Sequence, residues 1–117
     1  MPRQDTDPVP YALALVITLA VEVPVYGIVC RLSGLLLGWR RWAAAVAVNL
    51  VTHPLVWFVL SAHPGWFVPV EAAVCVVEAA LLWLLAGHRD APLLLVTAVA
   101  ANTASVLAGF VLYGLTD

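Results

Sequence analysis

Residues 67–86 read FVPVEAAVCVVEAALLWLLA, a run in which Glu71 and Glu78 are the only charged side chains. At ~1.5 Å of rise per residue, a helix of this length covers about 30 Å, the thickness of a bilayer's hydrocarbon core. The run is continuously apolar and rich in Ala, Val and Leu. It does not alternate with a period of two, which excludes a strand of a membrane β-barrel. Residues 9–30, 42–60 and 91–115 repeat the pattern, with Gly, Pro and Arg punctuating the joints. The expected fold is all-α: a polytopic four-transmembrane-helix bundle forming one domain over residues 1–117.

Composition agrees with this reading. The chain is 64% hydrophobic and 10% charged, against roughly 45–50% and ~25% for soluble domains. Mean hydropathy is +1.03. Four spans with tight connections leave no room for a soluble catalytic domain, a nucleotide-binding fold or a secreted disulfide scaffold. A net charge of −2 without a basic stripe gives no footprint for nucleic acid. Cys30 and Cys75 lie far apart without a CxxC spacing and read as small buried hydrophobes. The first run has no cationic leader, since Arg3 is opposed by Asp5 and Asp7, and it reads as a retained helix rather than a signal peptide.

Arginine counting sets the expected orientation. Arg31, Arg40 and Arg41 fall between the first two runs and Arg89 between the last two, while the other side has only Arg3. The positive-inside rule then puts the arginine loops in the cytoplasm and both termini outside it. Trp39, Trp42 and Trp83 fall at one expected interface, and Tyr11, Trp57, Trp66 and Tyr113 near the other. The lysine-free, Ala/Val/Leu/Arg-rich composition suggests a GC-rich bacterial genome, hence a multi-pass protein of the plasma (inner) membrane.

All the glutamates, Glu22, Glu71 and Glu78, lie inside these spans. A charged group near a helix centre costs at least ~2.5–3.5 kcal/mol on insertion scales, so each must face protein or water. Asn49, Thr52, His53, Asn102, Thr103 and Ser105 give every helix a polar side chain near the middle. Glu22 with Tyr26 and Asn49 with His53 are spaced i,i+4; Asn102 with Ser105 is i,i+3; Glu71 and Glu78 lie two turns apart. Each set shares one face of its helix. Counting from the span centres puts Glu22, Asn49, Glu78 and Asn102 within about 4 Å of the midplane. His53 and then Glu71 lie further out, close enough in depth for a mutual contact. Pro24 and Pro54 fall beside these groups, where a missing donor would free a carbonyl as a potential ligand. Small residues Ala100, Ala104 and Ala108, flanked by Ala101, Ser105 and Gly109, form ridges suited to close helix packing or a dimer face.

The candidate binding site is thus Glu22, Asn49, His53, Glu71, Glu78, Asn102 and Ser105. Proton- or cation-linked transport or conduction of a small solute is the favoured function. Glu78 and Glu22 would be the exchanging acids, Asn49 and Asn102 would orient them, and His53 with Glu71 would form an outer relay. Two alternatives stand beside it: a structural or accessory subunit of a membrane complex, and a membrane-embedded metal-binding enzyme. No cofactor is specified. The paired Glu-x-x-His motifs of di-iron bundles are missing, and no metal is assigned. Nucleophile motifs such as G-x-S-x-G are also lacking, so no catalytic residue is named and enzyme activity is not the favoured reading. His63 and His88 read as solvated loop residues. The expected partners are the lipid bilayer and either further copies of the chain or another membrane protein.

Two resemblances rest on these residues. Leu19-Ala20-Val21-Glu22-Val23 in the first of four helices resembles the small multidrug resistance transporters, which implies an acid at Glu22 that binds protons and cationic solutes in turn. The likeness is confined to that segment; Pro24-Val25 replaces the family's Gly-Thr, and Glu71 and Glu78 replace its aromatic and glycine pattern in helix three. The fuller layout is Glu22-x-Pro24, Asn49-x-x-Thr52-His53-Pro54, Glu71 with Glu78, and Asn102-x-x-Ser105. It resembles a group of uncharacterised small four-helix bacterial membrane proteins, which implies a shared site and supplies no activity.

Overall fold

The computed structural model describes the backbone of residues 8–36 and 38–116, with side chains from residue 11 to residue 112 apart from residue 37. Arg3, Asp5, Asp7 and the ring of Tyr113 lie outside the described residues. Helices α1 (Pro8–Ser33), α2 (Trp39–Ala62), α3 (Phe67–Leu85) and α4 (Ala91–Thr116) account for nearly all of it, and a single 3-10 turn, Pro64–Trp66, leads into α3. There is no strand among the described residues. Each α-helix is long and apolar enough to cross a membrane.

At the arginine end α1 and α2 run about one turn beyond the expected limits, α1 through Arg31 to Ser33 and α2 from Trp39. Arginine does not stop a helix; its stem lies along apolar surface while its head reaches for polar surroundings. The Arg41 guanidinium, 5.0 Å from the Trp42 ring centroid, is held in this way. The joints themselves are glycine caps. Gly34 (φ 73°) and Gly87 (φ 78°) take the left-handed conformation. The amides of Leu35 and His88 then bond back to the carbonyls of Cys30 and Trp83, at 3.1 and 2.8 Å. These are Schellman closures, which satisfy carbonyls the helix end leaves free. Arg89 ties the two joints together, bonding its own helix end at Ala86 O (3.1 Å) and reaching across to Leu35 O (2.9 Å).

Each helix packs against its sequence neighbours and α4 closes onto α1, while the backbones of the diagonal pairs stay apart. The result is a square, antiparallel bundle 47 Å long. Arg31, Arg40, Arg41 and Arg89 all stand at one end of it. In cross-section the polarity is reversed relative to a soluble protein. Glu22, Asn49, Thr52, Glu78, Asn102 and Ser105 are buried, whereas Val16, Ile28, Leu55, Phe58, Val76 and Val96 are more than half exposed. A soluble bundle would bury those apolar faces; a helix set in hydrocarbon presents them to lipid.

The half of the bundle nearest the arginines is tightly filled. Tyr26, Ala45, Leu82, Ala98 and Ala101 have no exposed surface there. Small residues on facing helices let the backbones approach: of the α4 ridges, Ala101 and Ser105 are buried, whereas Ala100 is exposed and Ala104 and Ala108 are half-buried. Gly27 on α1 makes room for the Trp42 ring of α2, which a Cβ would meet.

Candidate functional site

The polar floor of the bundle is built around Glu78. Its Oε1 receives the Tyr26 hydroxyl at 2.6 Å and the Asn102 amide at 3.0 Å, and Oε2 lies 2.6 Å from Thr52 Oγ1. Those donors come from α1, α4 and α2, so one α3 carboxyl connects all four helices. Asn102 keeps its second amide proton on its own helix, at Ala98 O, 2.8 Å away. Glu22 sits beside this group with a sparser set of partners. Its Oε2 lies 2.5 Å from Ser105 Oγ, and its Oε1 has no partner.

The two hydroxyls allow a proton count. Thr52 Oγ1 has the Val48 carbonyl 3.1 Å away as well as Glu78 Oε2, and Ser105 Oγ has the Asn102 carbonyl at 3.0 Å as well as Glu22 Oε2. A hydroxyl carries one proton. When that proton serves the backbone, the carboxyl must supply the proton of the other bond. The site therefore accommodates one proton on each acid without moving a heavy atom, and accommodates its loss by rotation of a hydroxyl.

Above the floor lies a cavity of about 210 Å³, partly open and confined to the half of the bundle away from the arginines. Glu22, Asn49, Glu78, Asn102 and Ser105 form its base; His53 and Glu71 line its wall; Ala14, Trp57, Phe67 and Phe110 stand furthest from the base. Asn49 donates to Ala45 O at 2.8 Å, which leaves its buried Oδ1 without a partner. His53 turns its ring toward Tyr11 and Trp57, with centroids 5.3 and 6.4 Å away, and its buried Nε2 bonds nothing. The expected contact from His53 to Glu71 is therefore not made through Nε2, although both residues face the same space. All seven candidate residues line this one cavity.

Other expectations are redistributed. Thr103 is exposed on the outer face of α4 and takes no part. Pro24 and Pro54 are exposed, as are Ala20 and Leu50, whose carbonyls they release, so those carbonyls belong to the outer surface rather than to the site. Cys30 is buried and Cys75 half-buried, and both are free thiols. Tyr26 and Thr52 enter as full members of the network. The signal for Tyr26 is its i,i+4 spacing from Glu22, and for Thr52 its place on the turn between Asn49 and His53. Among the described residues no group of three His, Cys, Asp or Glu side chains converges as a metal ion would require. No protein-family model matches the chain, and neither a curated protein nor a solved structure is significantly similar to it. The two resemblances drawn from the sequence rest on the quoted residues alone.

Proposed function

We propose that the protein is a multi-pass carrier of a bacterial plasma membrane that exchanges protons for a small cationic solute at Glu22 and Glu78. The observation that carries this reading is a pair of buried carboxyls at the base of a partly open cavity, with every described arginine at the other end of the bundle. An uncompensated buried charge is too costly to persist. Each acid must hold a proton or face a cation, and exchange between those two conditions is what a coupled carrier needs. The geometry supports different duties for the two. Glu78 has three side-chain hydrogen-bond partners and anchors the helices, whereas Glu22 lines the cavity with one oxygen unpartnered. With the arginine loops in the cytoplasm, the cavity would be loaded from the extracytoplasmic side.

The test is proton and monovalent-cation flux in liposomes containing purified protein. Wild type is expected to conduct or exchange, and Glu22→Gln and Glu78→Gln to lose flux while remaining folded in detergent. Flux at the wild-type rate in both variants would overturn the reading.

A further inference from the structure

The cavity's unpartnered atoms specify its occupant. Glu22 and Asn49 are each about 1% exposed, both line this space, and each has one buried oxygen without a hydrogen-bond partner. The Asn49 oxygen is an acceptor by assignment, because the amide nitrogen of the same side chain donates to Ala45 O. His53 Nε2 is a third buried, unpartnered atom on the same wall, and it accepts when the ring proton is on Nδ1. Three acceptors await donors, and one of them belongs to a carboxyl with no cation beside it. Further from the base the lining turns apolar and aromatic at Val56, Trp57, Phe67, Val106 and Phe110.

We propose that this cavity binds a small primary amine as its ammonium ion, with the NH₃⁺ group at Glu22 Oε1, Asn49 Oδ1 and His53 Nε2 and its carbon skeleton against the aromatic wall. The assignment rests on the cation-exchange reading above and narrows it to a chemical class. An –NH₃⁺ head carries three N–H donors, one for each open acceptor. A quaternary ammonium of equal charge carries none, and would leave all three atoms buried and unsatisfied, the costly condition for a polar group. A bare inorganic cation would satisfy the base and leave the apolar wall uncovered. Size points the same way: at about 210 Å³ the space falls below the roughly 300–1,000 Å³ of sites for drug-sized ligands.

The experiment is equilibrium dialysis of the purified, detergent-solubilised protein against butylamine and, separately, butyltrimethylammonium. Wild type is expected to bind the primary amine at least about tenfold more tightly, as hydrogen bonds to charged groups imply. Asn49→Leu is expected to weaken butylamine by a similar factor and leave the quaternary compound unaffected. Binding of the quaternary ion as tightly as the amine, or no saturable binding of the amine at millimolar concentration, overturns the proposal. Both of those outcomes come from wild-type protein, so a variant that fails to fold cannot obscure them. The two readings separate cleanly. If the quaternary ion is favoured while flux still depends on Glu22, the amine falls and exchange stands. If the amine binds with the expected preference and no flux is found, the amine site stands and exchange falls.

Discussion

Two glutamates of one layer have unequal surroundings, and that inequality decides what each substitution does. Glu78 has three side-chain donors around it, and Tyr26 is the one supplied by α1. Tyr26→Phe keeps the ring volume and removes one donor from a fully buried carboxyl. The expected cost is about 0.5–1.5 kcal/mol, the net worth of one hydrogen bond, because Asn102 still donates to the same oxygen. A lowered thermal midpoint in detergent, with flux reduced less than in Glu22→Gln, is the result to look for; an unchanged midpoint would mean the Tyr26 bond contributes nothing net. These residues are legible in the sequence to a certain depth. An acid inside an apolar run must point inward, and Glu22, Glu71 and Glu78 line one cavity, joined there by Asn49, His53, Asn102 and Ser105. Spacing along a helix says which residues share a face, but not how far that face is rotated. That is why His53 lies against Tyr11 rather than bonded through Nε2 to Glu71, and why Thr103 falls on the outside.

Among the elements, the helix-to-helix joints hold the most specific chemistry. Among the described residues Arg89 is the single side chain that bonds the backbone of both arginine-end joints. Positive-inside counting reads it only as an orientation signal, because a long-range bond to Leu35 O has no local trace in sequence. Arg89→Ala should destabilise the bundle by about 1.5–3 kcal/mol, the usual worth of a hydrogen bond from a charged group. Protease susceptibility of the joint between α1 and α2 should rise with it, and unchanged cleavage would show that the glycine caps suffice alone. The helices themselves are legible to within about a turn at each end, since length and apolarity are direct requirements of a bilayer. Their ends differ where arginine stems let a helix continue. Pro24 and Pro54 interrupt α1 and α2 beside the polar layer, yet each sits on the exposed side of its helix. The carbonyls they release therefore face away from the acids, a matter of helix rotation that position along the chain does not reveal.

At the scale of the whole molecule the bundle is polar at its middle and apolar without, and its polar cavity lies on the side away from the arginines. Ala98 and Val106 lie on the same helix to either side of the floor, Ala98 fully buried and Val106 on the cavity wall. With Cys30 and Cys75 replaced by alanine, a cysteine at Val106 should react with a membrane-impermeant thiol reagent, and one at Ala98 should not. Equal labelling of the two would show that the arginine half is not closed. The apolar exterior also explains why the candidate site stands out in the sequence alone: in a membrane every inward polar residue needs a reason, whereas in water it would be lost among surface residues. The hydroxyls of Thr52 and Ser105 have a mechanical meaning at this scale. Each can give its proton either to an acid or to a carbonyl of its own helix, and such back-bonding changes helix curvature slightly. Thr52 lies two residues before Pro54, where α2 already lacks a backbone donor. Under the exchange reading, loss of a proton from either acid would turn its hydroxyl from the helix carbonyl to the carboxylate, so α2 and α4 would each give up one back-bond as the core ionises.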